Sequence, residues 1–444
     1  MLRSNLLLSA RKFALPLTIL ASALIFTRGV AQTLDKNQRD RGIQILHDVA
    51  DALRKHYYDP SYRNIDITAK IKTAEQTIQN AINNSQIFGA IANTLEELND
   101  SHTFFEPPTR AARREFGYVM TMVGDACFIT NVRPRTDASE KLSPGDRVIS
   151  VEGHTPERAN LWLMNYAIND LYALTALHLQ LVRPDGTEQA VEVKAKIRQE
   201  KRVLDMTSGD DYWQLVREDE NSEHLARQRQ AEFGEALVVW KMPQFDMADE
   251  EVDRALKVVK RHQSLILDLR SNPGGLVKTL QYLVGGVMDH DVTIATRKGR
   301  KPDLKPIVAK KRGSPFQGKL IVLVDSRSAS AAELFARMVQ LEHRGIVLGD
   351  LSSGSVMEAR FYPMNDGANN KIFYGASVTD ADLTMSDGKS LEHVGVMPDE
   401  RLLPTAADIA EGRDPVLSRA AELVGVEIDP VAAGKLFPYE WRPD

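Results

Sequence analysis

Leu320-Ile-Val-Leu-Val-Asp-Ser-Arg-Ser-Ala-Ser-Ala-Ala-Glu333 is the stretch on which the reading of this chain turns. Five apolar residues, 320–324, predict a buried strand, and the pattern over 331–343 predicts a helix. Between them stand Ser326, Ser328 and Ser330. A serine at a strand-to-helix turn is exposed at the end of a sheet. A helix also leaves its first four backbone N–H groups without partners, and these can hold a developing oxyanion. The same letters equally spell a helix cap, with Ser328 or Ser330 at the N-cap and Glu333 completing a capping box. On this segment alone capping is favoured.

Working outward, short continuous apolar runs recur at 236–240, 265–269 and 346–348. They alternate with helical patterns at 249–261, 276–288 and 331–343, which predicts an α/β core over 236–444. Residues 201–235 are polar and read as a linker or surface excursion. Upstream, strand-like runs at 118–123, 126–132, 146–151 and 178–182 are separated by Pro144-Gly145-Asp146, Glu152-Gly153 and Pro184-Asp185-Gly186. They predict a small β-rich module over 109–200. Residues 36–58 and 69–98 carry apolar residues at helical spacing, so 32–108 reads as a helical domain. The expected fold is α/β (mixed α+β), with a β-rich module inserted between an N-terminal helical domain and the core.

Among 444 residues, 43% are hydrophobic and 26% charged, which excludes wholesale disorder and a collagen-like chain. Residues 1–31 read as a secretory signal. Arg3, Arg11 and Lys12 come first, an apolar run spans 13–26, and Gly29 and Ala31 precede a cut before Gln32. That run is short for a spanning helix, so a membrane anchor applies only if the segment is retained. The expectation is an exported protein, periplasmic or extracellular. The net charge is −5, and it grows more negative once the four basic residues of the signal are gone, so no nucleic-acid partner is expected. Cys127 is the only cysteine, which rules out an internal disulfide and a multi-cysteine zinc site. No metal or organic cofactor is expected.

Three further segments carry chemistry. Leu267-Asp-Leu-Arg-Ser-Asn-Pro-Gly-Gly275 runs a buried strand into a glycine pair, where backbone can approach a ligand closely. That suits an oxyanion donor from Gly274 or Gly275, and it suits an ordinary strand-to-helix turn equally well. Leu98-Asn-Asp-Ser-His-Thr103 offers His102, a natural general base if it reaches a nucleophile. Leu391-Glu-His-Val-Gly-Val-Met-Pro-Asp399 offers Glu392, which could orient a histidine or be a solvated loop carboxylate.

Together and in this order, these segments resemble the C-terminal-processing (tail-specific) serine protease family. Tyr58-Asp59-Pro60 and Leu142-Ser-Pro-Gly-Asp-Arg-Val-Ile149, in a PDZ-like module, extend the resemblance over most of the mature chain. The resemblance implies that Ser330 is the nucleophile. In the tail-specific branch the base is a lysine 25 residues downstream, but position 355 here is serine, and no lysine lies between Ser330 and Lys371. The chain is similar instead to the tricorn-like branch, where a Ser-His pair and a glutamate complete the site. By that resemblance Ser101-His102 and Glu392 match, with Ser101 orienting the imidazole. Ala331 N–H, with Gly274 or Gly275, would form the oxyanion hole. His393 is the rival base and Lys389 the rival lysine. Asp268 and Arg270 read as structural ion partners, and Cys127 as a small hydrophobe.

The PDZ-like module implies binding of extended peptides by strand addition, with the carboxylate loop near Gly117, Tyr118 and Val119. The expected partners are peptides or unfolded proteins, engaged through their C-termini. The competing expectation is a catalytically inactive peptide binder on the same fold.

Overall fold

The computed structural model describes residues 34–108, 112–199, 227–366 and 372–442. The signal read at 1–31 and most of the excursion read at 201–235 lie outside the described residues.

The core is built on a six-stranded sheet. Leu237–Lys241, Ser264–Asp268, Lys319–Val324, Ile346–Gly349 and Glu400–Arg401 run parallel, in spatial order. Their apolar runs are continuous because both faces are covered. Val238, Trp240, Leu265, Leu267, Val322 and Val324 point to one side, against helices Asp249–Val259, Val277–Val287 and Ala331–Leu341. Leu237, Val239, Ile266, Ile321 and Leu323 point to the other, against Pro415–Leu423 and Pro430–Lys435. Arg229–Phe233 pairs antiparallel with Leu237–Lys241 and forms the edge. This strand falls inside the stretch read from sequence as an excursion. Its charged residues suit a sheet edge, and they hid it from a search for apolar runs.

A second sheet is organised around the 14-residue strand Ile372–Met385. Met357–Asp366 pairs along one side of it. On the other side Phe104–Glu106 pairs with residues 375–377, and Val292–Gly299 with residues 381–385. The short strand Phe104–Glu106 therefore ties the N-terminal helices to the core. Those helices are Lys36–His56, Ile67–Gln79 and Asn84–Glu96, packed through Leu46, Leu53, Ile78, Ile91 and Leu95. The long helix read at 69–98 is thus two helices. Asn83 starts the second by accepting a hydrogen bond from Gln86 N–H, an N-cap that ends the first helical run.

Tyr118–Val123, Ala126–Val132, Arg147–Val151, Ala176–Val182 and Glu188–Lys194 form an antiparallel five-stranded sheet with its own core, including Met120, Ile129, Val148, Leu179 and Val193. Both ends of this module pass through one two-stranded ribbon, Ala112–Glu115 with Lys196–Gln199.

The module docks on the core through Asp350, which is 5% exposed. Its Oδ2 accepts from Gly124 N–H at 2.8 Å and pairs with Arg158, and its Oδ1 accepts from Arg401 at 3.2 Å. Arg158 also donates to Gly124 O and Leu351 O, each at 2.9 Å. Replacing Asp350 with alanine removes the shared acceptor of all three contacts. Hydrogen exchange across 118–132 is expected to accelerate while exchange across 264–268 stays unchanged. Equal protection in the variant and the wild type would show that Asp350 does not hold the module.

Candidate active site

Ser330 sits where strand Lys319–Val324 gives way to helix Ala331–Leu341, at φ 54° and ψ −118°. A non-glycine residue in this region is strained, and the surroundings must hold it. Ser330 N–H donates to Ser355 O at 2.8 Å and to Glu333 Oε2 at 3.1 Å. The Ser330 side chain makes no capping bond. The capping reading therefore holds only in part, because Glu333 reaches back to the N-cap while the serine hydroxyl has no hydrogen-bond partner among the described residues. Ser328 is fully buried and structural, donating to Leu269 O at 2.8 Å.

The glycine pair lies directly against this serine. A Cβ on Gly274 would sit 2.6 Å from Ser330 Cβ and 3.0 Å from Ala331 N, closer than any side chain allows. Gly274 N–H is taken by Asn272 Oδ1 at 2.8 Å. Gly275 lies between the two bonds of a parallel bridge to Phe245, Phe245 N–H to Gly274 O and Leu276 N–H to Phe245 O. Among the described residues the N–H groups of Gly275 and Ala331 donate to no protein acceptor. Of the two glycines, Gly275 is thus the one with a free donor.

His102, Ser101 and Glu392 are brought together from opposite ends of the chain. Ser101 Oγ lies 2.8 Å from His102 Nδ1 and 2.8 Å from Glu392 Oε2, and Ser101 N–H donates to Glu392 Oε1 at 2.9 Å. A hydroxyl has one proton to give. With Ser101 donating it to the carboxylate, its oxygen must accept from Nδ1–H, which leaves Nε2 as the bare lone pair. Burial lowers the imidazole pKa from its ordinary value, while the carboxylates of Glu392 and Asp100 pull it the other way.

Segment 355–356 joins the two halves. Ser355 O accepts from Ser330 N–H, and Val356 N–H donates to Glu392 Oε2 at 2.8 Å. Among the described residues no hydrogen bond links His102 Nε2 to Ser330 Oγ.

The rivals are placed differently. His393 Nε2 lies 3.4 Å from Glu392 Oε1, on the same carboxylate as Ser101, and 2.9 Å from Asn99 O, and its side chain is 47% exposed. Lys389 lies on an exposed turn, where its backbone N–H donates to Asp387 Oδ1. Arg270 bridges Asp268 and Asp414, and Lys241 joins Asp268 at 3.2 Å, so this group is a buried ion network at the ends of the strands. Cys127 is buried, and its thiol is pushed up to about 12 by that burial.

Gly117, Tyr118 and Val119 do not join the serine. They stand where the edge strand of the five-stranded module begins, and the Cβ space of Gly117 is filled by Thr136. The far end of that strand touches the serine loop, as Ser326 Oγ donates to Met122 O at 2.6 Å. Among the described residues no group of three or more His, Cys, Asp or Glu is placed to hold a metal ion. No described helix is long and apolar enough to cross a membrane.

One residue at this site escaped the sequence reading, and another was read for only part of what it does. Asp100 Oδ1 accepts from His102 N–H at 3.0 Å. Glu333 acts as a clamp: its Oε1 accepts from Ser352 Oγ at 2.5 Å and Gly354 N–H at 2.8 Å, and its Oε2 from Ser355 N–H at 2.9 Å and Ser330 N–H. The sequence signal for Glu333 was its capping-box position, which predicts one of these four bonds.

Residues 237–402 match the model of peptidase family S41. Among curated proteins it is similar to the carboxy-terminal processing protease CtpB of Bacillus subtilis (strain 168), 24% identical over 308 residues, covering 64% of this chain and 57% of that protein. It is also similar to the chloroplastic carboxyl-terminal-processing peptidase 1 of Arabidopsis thaliana, 27% identical over 146 residues, covering 33% of this chain and 29% of that protein. The chain thus spans less than two thirds of the length of either relative. Among solved structures, mature CPAF complexed with lactacystin shares the fold. Its TM-score is 0.61 at 14% identity, and the match covers 84% of this chain and 95% of that one.

Burial pushes the Glu333 carboxyl up to about 7, against the pull of its four donors. In Glu333→Gln an amide NH2 would face backbone N–H groups, leaving buried donors unmet at a cost of about 3 kcal/mol. The melting temperature should fall accordingly. A variant as stable as the wild type would show that the clamp holds nothing.

Proposed function

We propose that this chain is an exported serine endopeptidase of the C-terminal-processing type, cutting peptide bonds through an acyl-enzyme on Ser330. The observation that carries the reading is the Glu392–Ser101–His102 chain, which fixes the tautomer, together with the bond from Val356 N–H to Glu392 that ties this chain to the segment holding Ser330.

In this reading Ser330 Oγ attacks the substrate carbonyl as His102 Nε2 takes its proton. The imidazolium then gives that proton to the leaving amine, and a water activated by the same nitrogen releases the acyl group. Ser101 holds the ring through Nδ1–H, and Glu392 offsets the charge that the ring gains. Ala331 N–H with Gly275 N–H, or Gly274 N–H once released from Asn272, would hold the oxyanion. Losing one such donor costs on the order of 3 kcal/mol in the barrier.

The five-stranded module is read as PDZ-like. Among the described residues its edge strand Tyr118–Val123 pairs with one strand only, and its open side would take an extended peptide, with a C-terminal carboxylate near Gly117, Tyr118 and Val119. Peptides and unfolded proteins are the proposed substrates. The rival reading, a non-catalytic peptide binder, draws on Ser355 at the place of the lysine.

Digestion of casein separates the two readings. Wild type should cut, and Ser330→Ala and His102→Ala should each lose on the order of 10³-fold or more in kcat/KM. Retained activity in His102→Ala would place the base elsewhere. A wild type that neither cuts nor takes a serine-directed phosphonate would favour the binder.

The pH profile is a second check. A base works when unprotonated, and burial has lowered its pKa. The acid limb of kcat/KM should therefore fall below the ordinary imidazole value of 6.5. A limb well above that value would contradict the assignment of His102.

A further inference from the structure

Two residues before His102 lies a carboxylate that the proposed chemistry does not use. Asp100 is 8% exposed. Its Oδ1 accepts from His102 N–H at 3.0 Å and from Thr379 Oγ1 at 2.7 Å. Its Oδ2 is buried. The Tyr57 hydroxyl, on a residue with no exposure at all, is buried and faces Asp100. Burial and the hydrogen bond to that carboxylate hold the phenol protonated.

The main chain here is pinned without Oδ2: Thr103 Oγ1 accepts from Thr379 N–H at 3.0 Å, and Oδ1 already fixes His102 N–H. What the carboxylate adds is charge that acts on the imidazole two residues away.

We propose that Asp100 is a second carboxylate serving His102, a positioning residue that fixes its backbone through Oδ1 and, backed by Tyr57, holds charge that acts on the ring as it takes up a proton. The inference rests on His102 being the base. A proton on Nε2 turns the ring into a cation in a buried site, where one carboxylate reached through the Ser101 hydroxyl offsets it only partly. A second carboxylate on the same short segment, two residues before the ring, completes the compensation.

The surrounding charges fit this role. Glu392 acts on His102 from the loop that follows the long strand. From the N-terminal segment Arg63 faces Asp100, donating to Tyr58 Oη and Asn99 O. From helix Asn84–Glu96 the Glu96 carboxyl is pushed up to about 6 by burial and by Asp100, while His393 acts on it in the opposite sense. Asp382, on strand Ile372–Met385, faces Tyr58 and Glu392.

The test reads the imidazole directly. Full-length protein carrying 15N-histidine is titrated by NMR, with the His102 resonance assigned from its loss in His102→Ala. Asp100→Asn keeps an acceptor at Oδ1 and removes the charge, so the His102 pKa should fall by roughly one unit. The acid limb of kcat/KM should move down with it, and kcat should drop about tenfold with KM within about twofold. Asp100→Ser serves if the amide variant does not fold, with the same downward shift expected. Tyr57→Phe should lower kcat severalfold without moving KM.

A lower melting temperature with the His102 pKa unmoved would make Asp100 a structural residue and overturn the inference. A wild-type pKa with full activity in Asp100→Asn would also overturn it and leave the peptidase reading standing. A shifted pKa in a protein that cleaves nothing would overturn the peptidase reading and leave the coupling between Asp100 and His102 intact.

Discussion

One buried carboxylate holds the candidate site in shape. Glu333 takes four hydrogen bonds on two oxygens, from the N-cap of its own helix and from three residues of a loop remote in sequence. Burial opposes its charge and the donors favour it, so the cost of burying the ion is met only while all four are in place. Through this carboxylate the strained backbone of Ser330 is bound to the segment that contacts Glu392. Ser352 extends the clamp by accepting from Val396 N–H at 2.6 Å, which fixes the chain just beyond Glu392. The serine and the His-Ser-Glu chain thus share one rigid support.

Much of this was legible from residues because the local physics is strong. Parallel strands covered on both faces must be continuously apolar, and the runs near 237, 265, 320 and 346 were read as strands for that reason. The glycine pair declared a close approach, and Gly274 meets Ser330 Cβ at a distance only glycine permits. Ser101-His102 and Glu392, 291 residues apart, were joined from sequence by resemblance and not by any local pattern. In the structure they share hydrogen bonds.

What stayed hidden depends on long-range pairing. Met357–Asp366 has residues such as Phe361 exposed and others half-buried, so it lacks the alternation that marks a strand, and it forms only because Ile372–Met385 lies beside it. Arg229–Phe233 is charged because it is an edge. The break at residues 80–83 turns on an asparagine cap within an otherwise helical pattern. Glu333 and Asp100 were the hardest to see. A cap glutamate and a loop aspartate look ordinary until partners from distant segments close around them.

The ribbon that joins Ala112–Glu115 to Lys196–Gln199 has an evolutionary consequence. Because the five-stranded module leaves and rejoins the chain at one point, it can be lost, lengthened or exchanged without rethreading the core sheet. The helical domain has no such freedom. It delivers His102 through a strand stitched into the core, so it and the serine-bearing half must change together. A lineage can therefore revise the inserted module far more readily than the paired helical and serine-bearing halves.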